Sequence, residues 1–92
     1  MTHLTDNEKC NIIEATLPRF FGSFYNTKCM FKVYRAKHGT TFPRECVVLE
    51  SNNGVFNAHW VHELSLVYIM FFADGKIWLQ SIRNLNLVMN AL

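Results

Sequence analysis

The sequence predicts an α+β domain, with an N-terminal helix packed on a meandering antiparallel sheet of about four to five strands. Three observations carry this. A helix-start signature stands at Thr5–Glu8; the apolar period changes from helical to two after Lys28; and strong turn signals stand at Asn52-Asn53-Gly54 and Asp74-Gly75. The 92 residues suit one domain spanning 1–92. Half of them are hydrophobic, which is ample for one core and argues against disorder.

Thr5 and Glu8 form a T-x-x-E capping box, and Asp6 adds negative charge where the helix dipole favours it. Cys10, Ile13 and Leu17 share one helical face, broadened by Ile12. Pro18 is expected to end or kink this helix, placed at residues 6–17, because the residue before proline avoids the α region. A short irregular or helical turn through Arg19–Tyr25 follows.

From Lys28, Cys29, Phe31 and Val33 alternate with Lys28, Met30, Lys32, Tyr34 and Ala36, which suits a half-buried antiparallel strand. A turn at residues 37–40 leads to a second strand at Glu45–Glu50. Asn52-Asn53-Gly54 then turns the chain into a third strand, Val55–Val61. Leu64–Phe72 reads as a fourth, central strand, and Asp74-Gly75 turns it into a fifth, Lys76–Ile82. The tail from Arg83 to Leu92 is either a short helix or an extra strand, with the helix favoured. Apolar residues on both faces of the fourth strand suit a central position between helix and loops, or else a docked partner.

Charge is distributed unevenly. Residues 15–44 hold six of the nine Lys and Arg (Arg19, Lys28, Lys32, Arg35, Lys37 and Arg44) and no acid, a local +6 against +2 overall, leaving −4 elsewhere. Phe20, Phe21, Phe24, Tyr25, Phe31, Tyr34 and Phe42 are interleaved with them. Cations beside aromatic faces suit phosphates and bases, and Lys28, Lys32, Tyr34, Arg35, Lys37 and Arg44 are the candidate partner- or nucleic-acid-binding residues. The competing explanation is a solvated edge strand guarded by lysines.

Catalytic and metal chemistry is not expected. Four isolated glycines rule out a P-loop or GxGxxG, and no cysteine or serine has a spacing that marks a nucleophile with its base. His59, His62 and Glu63, with Cys46 nearby, are the nearest approach to a zinc set, but i and i+3 on a strand point apart. The glycine-containing RRM motif is missing around Lys32-Val33-Tyr34. No cofactor is expected. Cys10, Cys29 and Cys46 form no CxxC pair, and the N-terminus lacks a secretory pattern. The longest apolar run, Leu66–Ala73, is too short to span a bilayer. These features predict a soluble cytoplasmic protein with free, mostly buried thiols, the alternative being a disulfide across a dimer.

In its build, a short chain with no catalytic signature, an N-terminal helix before a sheet, and a basic-aromatic segment from Arg19 to Arg44, the sequence resembles the small phage-encoded CRISPR inhibitors (anti-CRISPR proteins), in particular those acting on the type I-F surveillance complex. These proteins share no diagnostic motif, so no site residue is carried over. The resemblance implies a non-enzymatic inhibitor in the host cytoplasm that binds a Cas protein–guide RNA complex and obstructs target DNA. Many such inhibitors are acidic DNA mimics. The cations here suit contact with guide RNA or an acidic protein surface instead. The alternatives are an independent RNA- or single-stranded-DNA-binding accessory protein, and a homo-oligomeric structural protein that buries Leu85, Leu87, Val88 and Met89 against its own copy.

Overall fold

A computed structural model describes residues 3–20, 31–37 and 44–92. Its elements in chain order are α1 (Asp6–Phe20), β1 (Phe31–Ala36), β2 (Cys46–Ser51), α2 (Ala58–Val67), β3 (Tyr68–Ala73), β4 (Lys76–Ile82) and α3 (Leu85–Ala91). The class is α+β, as the sequence predicts.

The capping box forms: Thr5 N–H donates to Glu8 Oε1 at 2.9 Å and Glu8 N–H to Thr5 Oγ1 at 3.1 Å. Cys10, Ile13 and Leu17 are fully buried along one stripe of α1. The helix runs past the expected stop, with Pro18 inside its last turn. Proline's missing N–H costs one intrahelical bond, and only Arg19 and Phe20 follow it in the helix. Thr16, also buried, returns its hydroxyl to Ile12 O at 2.8 Å and lies 2.7 Å from the Tyr68 hydroxyl, a polar tie between α1 and β3 inside the core.

The four strands form one antiparallel sheet in the order β1-β2-β4-β3, and this differs from a meander. Residues 55–61 are not a strand, and 64–72 is not a central one: α2 occupies Ala58–Val67, and β3 that follows is an edge. The reason lies in the cap and the spacing. Asn57 Oδ1 accepts from His59 N–H at 2.8 Å, and Val61 N–H donates to Asn57 O at 3.1 Å. Trp60, Val61, Leu64 and Val67 then recur at i, i+1, i+4 and i+7 and pack into one core. β2 and β3 consequently run parallel, joined through α2, and β4 inserts between them as in a split βαβ unit.

The α1-facing side of the sheet carries Val33, Val47, Leu49, Met70, Ile77, Leu79 and Ile82, packed with Cys10, Ile13, Leu17, Leu64, Val67 and Val88 from all three helices. The opposite side groups Cys46, Val48 and Trp78 with Tyr34, Ala36, Phe71 and Ala73. On β4 the alternation would put Ser81 into the core. The register skips Gln80, since Ile69 pairs Ser81 and Met70 pairs Leu79. This bulge returns Ile82 to the core side.

The β3–β4 hairpin turns at Asp74 and Gly75, both with positive φ (56° and 71°), as a two-residue turn between twisted strands requires. The tail is helical, with Asn84 Oδ1 accepting from Leu87 N–H at 3.1 Å.

A Cβ at Gly75 would meet nothing within 4 Å. Gly75→Ala should therefore cost only the backbone penalty, about 1 kcal/mol, read as a lower denaturation midpoint with an unchanged m-value. The hydrogen bonds from Thr5 hold the Glu8 carboxyl below its ordinary value of 4.5. A carboxylate depressed in this way stabilises the folded state above its ordinary range and loses that contribution as pH falls through its folded value. Acid titration followed at the Thr5 amide should show this step, and Glu8→Gln should abolish it.

Candidate functional site

The β1–β2 register sorts the candidate cations. Ala36 pairs Cys46 and Lys32 pairs Glu50, so Val33 and Arg35 face α1 while Lys32, Tyr34 and Ala36 face away. Arg35 therefore does not join Lys32 in one patch. Its guanidinium reaches over the sheet rim to α1, where Nη2 donates to Glu14 Oε1 and to Asn11 Oδ1 (2.8 Å). Nη1 donates to Asn7 Oδ1 (2.9 Å) and to Glu45 Oε2 (3.3 Å). Glu14 and Glu45 are the two acids that bracket the basic stretch, and both turn onto this one side chain. Burial works against the Arg35 charge, but the hydrogen bond and charge of Glu14 outweigh it and raise the pKa. Arg35 is a structural clamp between β1 and α1.

On the other face, the Lys32 ammonium lies 5.6 Å from the centroid of the Tyr34 ring, a cation–π distance. Across the sheet the same row continues through Glu50 to Lys76, because Glu50 pairs both Lys32 and Lys76. Two strand spacings put the two lysines about 10 Å apart. Lys76 is a member that the sequence reading missed. It lies outside the basic segment, and only strand register brings it near. Lys37 and Arg44, both exposed, flank the paired Ala36–Cys46 end of the hairpin. Lys37 lies just beyond β1, five residues and about 17 Å from Lys32, an odd offset that on a regular strand falls on the side of Arg35. Lys28 falls outside the described residues. The candidate surface thus holds Lys32–Tyr34, divided from Lys76 by the Glu50 carboxylate, and Lys37 and Arg44 at the other end of the hairpin, with Arg35 turned away.

Tyr34, Val48, Trp78 and Phe71 form a continuous cross-strand row on this face. Phe71 and Trp78 stack with centroids 6.3 Å apart, and Trp78 Nε1–H donates to Ala73 O at 2.9 Å. Such a row would be a base-stacking platform if exposed. Trp78 is only 5% exposed and Val48 fully buried, so the row is packing.

His59 and His62 lie on α2 and not on a strand, where i and i+3 are neighbours. His59 Nε2 instead meets Glu63 Oε1 at 3.1 Å. Among the described residues no three His, Cys, Asp or Glu side chains are grouped to hold a metal. Cys10 and Cys46 are free and buried. Burial pushes the Cys10 thiol up to about 11 and also raises that of Cys46, which keeps both as poorly reactive thiols. Among the described residues no helix is long and apolar enough to cross a membrane.

No family model, curated protein or solved structure matches this chain.

Arg35→Ala should lower stability by roughly 1–2 kcal/mol through loss of a partly buried, multiply bonded clamp. It should change the affinity for an anionic partner much less than a charge reversal at Lys32. Denaturation and binding measured on the same variant separate the two effects.

Proposed function

We propose that this protein is a non-enzymatic binding protein that docks on a nucleoprotein complex through Lys32, Tyr34, Lys37 and Arg44 and blocks its nucleic-acid binding, the mode of action of the CRISPR inhibitors its build resembles. The observation that carries this reading is a partial separation of charge, with Glu50 left between Lys32 and Lys76. The two bracketing carboxylates, Glu14 and Glu45, are held on Arg35 at the α1 side, while Lys32 stands over Tyr34 on the opposite face. A cation over an aromatic face offers a phosphate a point charge beside a flat surface for a base or an arginine. Cations at both ends of the hairpin, about 17 Å apart, match a backbone or an acidic protein surface better than a single small anion. The burial of Trp78 weighs against the alternative, a free-standing binder of single strands, because that class depends on exposed stacking groups.

The test is target-DNA binding by a type I-F surveillance complex in the presence of excess protein. Inhibition is expected; undiminished DNA binding overturns the reading. Lys32→Glu combined with Arg44→Glu should weaken partner binding at least about tenfold, with the unfolding midpoint little changed because both side chains are at the surface. Gel shifts on free RNA at two salt concentrations address the alternative. A free-standing binder would shift naked strands with a log–log salt slope of about −0.7 per phosphate contact, and the double variant would flatten that slope by about 1.4.

A further inference from the structure

Of the nine asparagines in the sequence, only Asn53 is followed by glycine. The following residue matters because its main-chain nitrogen can reach the asparagine Cγ and close a five-membered ring. A side chain on that residue obstructs the approach, and Gly54 has none. It stands at φ 74°, and beyond its chain neighbours no heavy atom lies within 4 Å of the place a Cβ would take. Asn53 itself is exposed, so water reaches it.

The side-chain carbonyl of Asn53 is held by two donors. Oδ1 accepts from Ser51 Oγ at 2.7 Å and from Val55 N–H at 3.0 Å. The Val55 amide can only donate, so the atom it meets is the oxygen, and the Ser51 hydroxyl then donates to that same atom. Both donors are placed by the fold. Ser51 closes β2, is 7% exposed and is fixed opposite Phe31 by strand pairing, while Val55 is the first residue past the turn. Two donors on one carbonyl oxygen make its carbon more electrophilic and stabilise the negative charge that develops on the oxygen during attack. Gly54 N–H donates to Ser51 O at 3.2 Å, the long end of the ordinary range, and this is the bond that attack must give up.

We infer that Asn53 is a site of spontaneous covalent modification, converted through a cyclic imide to aspartate and iso-aspartate, with the Ser51 hydroxyl and the Val55 amide stabilising the oxyanion. Hydroxide removes the Gly54 amide proton, and the nitrogen electron pair forms a bond to Asn53 Cγ while Oδ1 takes the negative charge. Collapse of this adduct restores the carbonyl and expels the side-chain nitrogen, which takes a proton from water, regenerates hydroxide and leaves as ammonia. Water then opens the imide. Cleavage of the new bond to Cγ gives aspartate; cleavage of the original peptide bond gives iso-aspartate, whose main chain runs through Cγ. One water enters, one ammonia leaves, and the net charge falls from +2 to +1. The iso-aspartyl form also adds a methylene to the main chain between Ser51 and the Asn57 cap of α2. Two neighbours serve as comparisons. Asn52 precedes a residue with a side chain, and Asp74, although followed by glycine, carries a carboxylate and has no ammonia to expel.

Incubation of the full chain in mildly alkaline buffer, followed by peptide mass mapping with fragmentation, tests this. Conversion is expected at Asn53 well ahead of Asn52 in the same peptide. An intact Asn53, or equal conversion at the two positions, overturns the proposal. Ser51→Ala should slow the reaction roughly 2- to 10-fold, the worth of one hydrogen bond. Ser51→Thr keeps the hydroxyl and should retain the original rate. Faster conversion in Ser51→Ala overturns the assignment of the donors, since the bonds would then restrain Asn53 and not activate it. The same pair of rates measured in urea distinguishes fold from motif. In the unfolded chain the difference between Ser51 and Ser51→Ala should vanish; a difference of equal size there would trace to local sequence and contradict the structural role.

Discussion

Pairing of β1 with β2, from Ala36 opposite Cys46 to Phe31 opposite Ser51, is the constraint on which the surface chemistry depends. Side chains on a strand alternate, so this single register decides which cations can act together, and a slip of one residue would exchange their faces. In the observed register Val33 and Arg35 look toward α1. Val33 joins the core, while Arg35, one step from it, finds Glu14, Asn7 and Asn11 on the helix and Glu45 next to β2. The same register sends Lys32 and Tyr34 to the other face and places Glu50 between two lysines from different strands. A run of positive charge in the sequence is thus divided by the pleat into a structural part and a surface part.

How far the fold was legible depended on how local its causes are. The capping box at Thr5 and Glu8, the Asp74-Gly75 hairpin and the bounds of β4 are written in neighbouring residues, and they appear where the sequence places them. Residues 55–61 and 64–67 read as parts of two strands because Val55, Phe56, Val61 and Val67 suggest strand by composition. The decisive signals were Asn57 as a cap and the recurrence of Trp60, Val61, Leu64 and Val67 on one helical face. Strand order was beyond reach for another reason. Once 58–67 becomes a crossover helix, the strand after it goes to the edge and its hairpin partner to the centre, a consequence of connection length. In the candidate site, period two is enough to put Lys32 and Tyr34 on one strand face. The capture of Arg35 and the approach of Lys76 both depend on contacts distant in sequence, 21 residues in the case of Glu14, that no local pattern encodes.

The polar groups placed inside the core show the same division of labour. The Thr16 hydroxyl lies 2.7 Å from that of Tyr68, two buried side chains 52 residues apart. A hydroxyl removed from water costs free energy unless it finds a partner. Here the partners come from α1 and β3, the first helix and the outer strand, so the tie favours one lateral position of the helix over the sheet. Apolar contacts from Ile13 and Leu17 supply the greater part of the attraction but less of this directionality.

The strand order also bears on synthesis at the ribosome. β4 is the last strand to be translated and lies between β2 and β3, so the nascent polypeptide holds its flanking strands before it holds the one that joins them. Until Lys76–Ile82 has emerged, Val47, Val48 and Leu49 lack their inner neighbour, and β3 lacks its β4 partner. Closure of the sheet therefore waits for Lys76–Ile82 to leave the exit tunnel. During that interval the exposed apolar segments of β2 and β3 are the ones open to aggregation.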